Sequence, residues 1–263
     1  MILNGRALAG EILARTRTRA EKLPHRPGVV AYIVQDPTPA TVSYLKIKAK
    51  SAEAAGCDFA ESNDTDFFTD ADAAIVQLPT NAEGATLLEH IPLDKDADVL
   101  SKKARDAFAR GDEGALLPPV VAAVREIFKT YGVDPAGKQA AVLGDGWLVG
   151  NPCAVWLRQA GANVTTLTKE SENTAEALRR ADIIISGVGV PHLITPLMVK
   201  EGVILIDAGT SESNGEVAGD ADPACAGKCS VFTPVPGGVG PIAVACLFEN
   251  AVTLAERASR ARH

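Results

Sequence analysis

Apolar positions along the chain change their period several times, and each change marks an element. In "GRALAGEILARTRTRAEK" (5–22) they recur with helical spacing among charged residues. "GVVAYIV" (28–34) is a short apolar run, and "PATVSYLKIKAKSAEAA" (39–55) returns to helical spacing. A charged loop leads to a second run, "AAIVQL" (73–78), and a helix over 83–90. This βαβ-like alternation predicts a layered α/β domain. Glycines and prolines in "FARGDEGALLPP" place a junction near residue 115, ahead of "VVAAVREIFKTYG", an amphipathic helix with Pro119 in its first turn.

Beyond the junction the pattern tightens. "KQAAVLG", "NVTTLT", "DIIISG" and "VILIDAG" read as strands, separated by helices from Val149, through "TAEALRRA", and near 195–200. Apolar runs of this kind suit a parallel sheet buried on both faces. "FTPVPGGVGP" reads as a loop and "IAVACLFENAVTLAERAS" as a closing helix. The expected fold is α/β with two domains. Residues 1–115, joined by the C-terminal helix 241–263 packing back on them, form an α/β domain; residues 116–240 form a Rossmann-like, doubly wound parallel-sheet domain.

Charge narrows the partners. Twenty-six basic against thirty-three acidic side chains in 263 residues give a net charge of −7, without the basic footprint of a nucleic-acid binder. The N-terminal apolar residues are interrupted by Glu11, unlike a secretory signal, and no apolar run approaches the ~20 residues that span a bilayer, so no membrane partner is expected. Five scattered cysteines suit a reducing compartment, hence a cytoplasmic protein. "CAGKC" (225–229) lacks CxxC spacing and a second ligand pair, so no metal site is expected.

Two places carry candidate chemistry. On the helix 39–55, Tyr44 and Lys48 stand about 40° apart, beside Thr41, Ser51 and Ala55, whereas Lys46, Lys50 and Glu53 face the other way as an ordinary wet surface. In the second half, Gly144, Gly146 and Gly150 lie between a strand and a helix, where backbone N–H groups can approach a pyrophosphate. "SGVGVP" (186–191) and "DAGT" (207–210) end two further parallel strands, so three glycine-bearing ends gather at one sheet edge. That edge predicts a dinucleotide site. "TLTKES" at the end of the second strand places Lys169 before Glu170 and leaves NAD and NADP open.

Four stretches in this order resemble the bifunctional methylenetetrahydrofolate dehydrogenase/cyclohydrolase family: "SYLKIKAKSAEAAG", "VQLPT", "LDKDAD" and the nine-residue "TPVPGGVGP". "GDGWLVGNP" and "KEGVILIDAG" match in register as well. The resemblance implies a folate cleft between two domains, a nicotinamide-linked oxidation of 5,10-methylenetetrahydrofolate, hydrolysis of the methenyl product to 10-formyltetrahydrofolate, and a homodimer through the nucleotide domain. It places the catalytic lysine on Lys48, with Tyr44 and Gln77 beside it, and the pterin-holding aspartate on Asp98. It further implies substrate contacts at Tyr44, Gln77, Pro236, Gly237 and Gly238, and cofactor contacts at Gly144, Asp145, Gly146, Val188, Gly189 and Thr210.

The chain departs from that family at identifiable points. Its phosphate turn reads Gly144-Asp145-Gly146 where the family has Gly-Arg-Ser, so a guanidinium is replaced by a carboxylate and the usual NADP contacts are lost. Val99 stands where the family has glycine after the pterin aspartate, Leu117–Val120 replace its TPxG, and the segment between Gly56 and Gln77 is about a helix shorter. Three readings stay open: a bifunctional enzyme with altered cofactor choice, a cyclohydrolase alone, or a non-catalytic homologue. An amino-acid or shikimate-type dehydrogenase shares the two-domain plan but not the C-terminal signature.

Overall fold

Two groups of elements form separate compact units in the computed structural model, which describes residues 1–63, 71–213 and 216–261. One comprises Ala9–Pro119 with Val244–His263, the other Met1–Leu8 with Val120–Ala243. The first eight residues join the second unit through backbone pairing: Leu3 N donates to Phe232 O and Phe232 N to Met1 O, both at 2.9 Å. No side-chain periodicity announces such a contact.

The first unit contains most of α1 (Gly5–Ala20), then β1 (Gly28–Tyr32), α2 (Pro39–Ala55), β2 (Asp58–Ser62), β3 (Ala73–Val76), α3 (Ala82–His90) and α4 (Lys102–Arg110). Its three strands form a parallel sheet in the order β2-β1-β3. Helix α2 starts where Thr38 Oγ1 accepts a hydrogen bond from Thr41 N and Pro39 takes the first turn, and stops at Gly56, whose φ of 77° is left-handed. β2 corrects the expected charged loop. It is an edge strand with largely exposed side chains, so backbone pairing with β1, from Gly28↔Asp58 to Tyr32↔Ser62, holds it without an apolar run. Residues 64–70 of that loop lie outside the described residues. α4 is a second addition, capped by Ser101 and closed by Gly111, its apolar positions obscured by alternating charge.

The closing helix α8 (Val239–Ala261) contributes Leu247, Phe248, Ala251, Val252 and Leu254 to a core with Val29, Ala52, Ala55 and Ile75. Phe248 meets Phe59 edge-on at 6.3 Å between centroids. Arg15–Glu249 at 2.9 Å and Arg19–Glu256 at 3.0 Å line the rim. Burying one Leu or Phe side chain stabilises by about 1.5–3 kcal/mol, against about 0–1 kcal/mol for a solvated ion pair, so the apolar face decides the docking. With 23 residues, α8 is long and apolar enough by length and composition to cross a membrane, although Glu249 and Asn250 interrupt its apolar run well short of ~20 residues; most of its apolar stretch is buried inside the protein.

The second unit continues with α5 (Pro119–Tyr131), β4 (Gln139–Leu143), α6 (Gly150–Gln159), β5 (Asn163–Leu167), α7 (Thr174–Arg180), β6 (Ile183–Ser186), β7 (Val203–Asp207), β8 (Ser211–Ser213), β9 (Glu216–Ala218) and β10 (Cys229–Phe232). Five of these strands make a parallel sheet ordered β10-β7-β6-β4-β5. Ile183, Ile184 and Ile185 are fully buried, as continuous apolar strands require. The helix expected near 195–200 is a single 3-10 turn, Pro196–Met198, because Val199 returns to extended geometry. The short β10 and the antiparallel pairing of β8 with β9 were not expected. Cys225 and Cys229 are buried, and burial pushes their thiols up to about 11 and about 12, which leaves them unreactive.

Candidate active site

In the first unit, α2 and the end of β3 bring two of the expected residues together. Lys48 Nζ donates to Gln77 Oε1 at 2.9 Å, while Gln77 Nε2 donates to Leu78 O at 2.6 Å. The second bond holds the amide so that its oxygen faces the amine. A neutral acceptor orients an ammonium without supplying the counter-charge that would keep it protonated. Gln77 is buried, Lys48 half-buried, and Lys46 and Lys50 are exposed, which separates the three lysines as the helical periodicity predicts. Tyr44, one turn before Lys48, is 46% exposed, leaving a ring face open to a ligand.

Asp98 is the electrostatic partner of this pair. Burial drives the Lys48 amine below its usual range, and the Asp98 charge opposes that change. The half-buried Asp98 carboxyl is itself raised by burial, with Lys48 opposing and Asp96 adding to the rise. An amine shifted toward neutrality is suited to proton exchange, and the Lys48 charge that opposes the rise favours the Asp98 carboxylate, the form that accepts from N–H groups.

Two residues that sequence reasoning passed over hold Asp98 in place. Asp96 is buried and accepts from Leu100 N at 3.1 Å and Ser101 N at 2.8 Å, bracketing the turn. From α8, Asn250 Nδ2 donates at 2.9 Å to both Ala97 O and Leu117 O. Between these anchors Val99 adopts φ 56°, a left-handed conformation that costs a β-branched residue about 1–2 kcal/mol and is ordinarily left to glycine. The only signal was weak: Asn250 is a lone amide in an apolar helix, and Asp96 one acid among three in "LDKDAD".

The second unit gathers the glycine-bearing strand ends. Gly144 has φ 90°, and a Cβ there would lie 2.9 Å from Val188 Cγ1. One on Gly150 would lie 2.0 Å from Gly144 O, so a side chain cannot be accommodated where the turn meets α6. Val149 caps α6 without a side-chain hydrogen bond, Asn151 N donates to Gly146 O at 3.0 Å, Pro152 carries no N–H, and open space lies beside Gly146. These features fit a dinucleotide phosphate. Asp145 is exposed on that turn, and Gly189, with φ 71°, approaches Thr210 O from the neighbouring strand end. Pro236, Gly237 and Gly238 form a tight turn in which Gly237 has φ 101°, and a Cβ on Gly238 would lie 2.5 Å from Pro234 O. Gly5 is pressed against the same turn, where a Cβ would lie 2.0 Å from Gly238 O.

The family model described as "Tetrahydrofolate dehydrogenase/cyclohydrolase, NAD(P)-binding domain" matches residues 118–259. A "Bifunctional protein FolD" from Nitrosospira multiformis is 35% identical over 281 residues, covering 98% of this chain and 96% of its own length. Another, from Wolinella succinogenes, is 34% identical over 277 residues, covering 97% and 96%. Among solved structures, the FolD methylenetetrahydrofolate dehydrogenase/cyclohydrolase of Campylobacter jejuni superposes with a TM-score of 0.93 at 31% identity, covering 98% of this chain and 99% of its own. The Trypanosoma brucei enzyme, complexed with NADP cofactor and inhibitor, gives 0.89 at 28% identity, covering 99% and 98%.

Proposed function

Because the chain belongs to the tetrahydrofolate dehydrogenase/cyclohydrolase family, we propose that it oxidises 5,10-methylenetetrahydrofolate to the 5,10-methenyl compound with a nicotinamide cofactor and hydrolyses that product to 10-formyltetrahydrofolate. The carrying observation is similarity to bifunctional relatives over 98% of the chain, and an amino-acid or shikimate-type dehydrogenase is therefore set aside. The hydrogen bond from Lys48 to Gln77 supports the hydrolytic role of the first unit.

In this reading Lys48 is the base of the cyclohydrolase step. Water adds to the cationic methenyl carbon and Lys48 takes a proton from that water; the proton passes to the ring nitrogen as the bridge opens, and the hydroxyl oxygen releases its remaining proton to solvent as it becomes the formyl C=O. Burial and the substrate's own positive charge both favour the neutral amine this requires. Gln77 aims the amine, Tyr44 offers its exposed ring for stacking, and Asp98 accepts hydrogen bonds from the amino and N–H edge of the pterin. Pro236, Gly237 and Gly238 present backbone to the substrate. Gly144, Gly146, Val188, Gly189 and Thr210 would hold the dinucleotide, which when bound supplies the hydride acceptor.

Asp145 supports NAD over NADP, since its exposed carboxylate repels a phosphorylated ribose and offers an acceptor to a free ribose hydroxyl. A homodimer joined through the cofactor-binding unit and a cytoplasmic location complete the proposal. The test assays methylenetetrahydrofolate with NAD and NADP side by side. Reduced cofactor should accumulate faster with NAD, and methenyl absorbance should decay faster than without enzyme. Decay without cofactor reduction would replace this reading by a cyclohydrolase alone; absence of both activities would overturn it.

A pH profile tests the Lys48–Asp98 pair. Asp98 raises the Lys48 pKa, so Asp98→Asn removes the opposition to burial and lowers that pKa further. A base works when unprotonated, hence the rising limb of cyclohydrolase kcat against pH should move to lower pH in Asp98→Asn. An unmoved limb at saturating substrate would separate the two groups.

A further inference from the structure

Asp220 is wholly buried in the second unit, and the cofactor contacts named above do not include it. Its carboxylate accepts three hydrogen bonds, from Ser186 Oγ at 2.6 Å, Val188 N at 2.8 Å and Val190 N at 2.9 Å. The loop leaving β6 is thus pinned from beneath at alternate residues. Space for this carboxylate exists because residue 209 is glycine: a Cβ there would lie 2.2 Å from it. A second buried acid, Asp207, locks the neighbouring strand end by accepting from Gly209 N at 2.9 Å and Ala221 N at 2.8 Å. Gly219 leaves room for Asp207 in the same way, with a Cβ there 2.2 Å from Asp207 Oδ2. Burial first, and the charge of Asp220 in addition, push the Asp207 carboxyl up to about 6.

The topology says which half of a dinucleotide lies above this network. In a doubly wound sheet the pyrophosphate sits at the first strand-to-helix turn, here β4 to α6, and the adenosine ribose is read at the end of the next strand, β5. Strands β6 and β7 lie on the other side of β4, so their ends carry the nicotinamide half. Val188 N and Val190 N are directed at Asp220 and are not offered to a phosphate. We infer that Asp220 is a positioning residue for the dehydrogenase step, fixing the Ser186–Val190 loop and placing a buried negative charge under the nicotinamide half of the site. That charge favours the oxidised, cationic ring over the reduced, neutral one. The inference rests on the cofactor reading above.

Titrating NAD and NADH separately into the wild-type protein and into Asp220→Asn tests it, with cyclohydrolase kcat as the control for an intact first unit. Wild type should bind the oxidised form about tenfold more tightly than the reduced form, as expected for one weakly screened charge. In Asp220→Asn the oxidised form should lose severalfold, up to about tenfold, in affinity and the preference should shrink to the part that the Asp207 charge sustains, with kcat for hydrolysis unchanged. Ser186→Ala removes one donor but keeps the charge and both backbone bonds, and should retain the preference. Equal weakening of both forms in Asp220→Asn, loss of the preference in Ser186→Ala, or a wild type that holds the reduced form as tightly would each overturn the inference. Should Asp220→Asn not fold, the wild-type and Ser186→Ala ratios decide alone. A wild type that binds neither form would overturn the dehydrogenase reading itself, and the inference with it.

Discussion

Lys48→Ala is expected to lower cyclohydrolase kcat by about 10²- to 10⁴-fold, the range supplied by a positioned general base. The expectation follows from geometry and electrostatics together. Gln77, itself locked to Leu78 O, aims the Lys48 amine at 2.9 Å, and burial lowers the pKa of that amine. Truncation to alanine removes the proton acceptor while leaving α2 intact, because alanine is at least as good a helix former as lysine and the half-buried Lys48 is not among the fully buried core residues. Cofactor reduction should suffer less, since hydride departure from the one-carbon bridge needs no protein acid. Cyclohydrolase kcat in Lys48→Ala within a factor of about two of wild type would refute the role given to this amine.

Asp145→Arg should raise the ratio of NADP to NAD catalytic efficiency by about tenfold or more, because one charge-assisted contact to a phosphate is gained and one repulsion removed. The side chain is exposed on the turn between β4 and α6, so the exchange disturbs no core. Lys169, exposed just beyond β5, already places one positive charge near the strand end that reads the adenosine ribose. A second cation at 145 would convert a mixed environment into a basic one. Kinetics with both cofactors measure the effect, and an unchanged ratio would show that Asp145 faces away from the ribose.

Legibility differed with the range of the interaction. Helical spacing separated Lys48 from Lys46 and Lys50, and the glycines at 144, 150 and 189 announced turns that the close contacts at Gly150 and the positive φ at Gly144 and Gly189 explain. β2 escaped notice because an edge strand held by its backbone needs no apolar pattern, and α4 because charge interrupts its apolar positions. Val99 gave a different signal. A valine at a position where the resembling family has glycine points to strain, but the anchors that sustain its φ of 56° come from Asp96 and from Asn250, 151 positions further along the chain (250 − 99).

By itself the sequence determined the α/β class, the parallel character of the second sheet, the family resemblance and the identity of the candidate lysine, because periodicity and local motifs depend on near neighbours. Tertiary structure alone decided that Leu78 O holds the Gln77 amide with its oxygen toward that lysine, that Asp96 and Asn250 hold the Asp98 turn, and that Asp207 and Asp220 interlock beneath the glycine loops. Each of these is a hydrogen bond or charge contact in a buried place. Its strength comes from exclusion of water, which no run of neighbouring residues encodes.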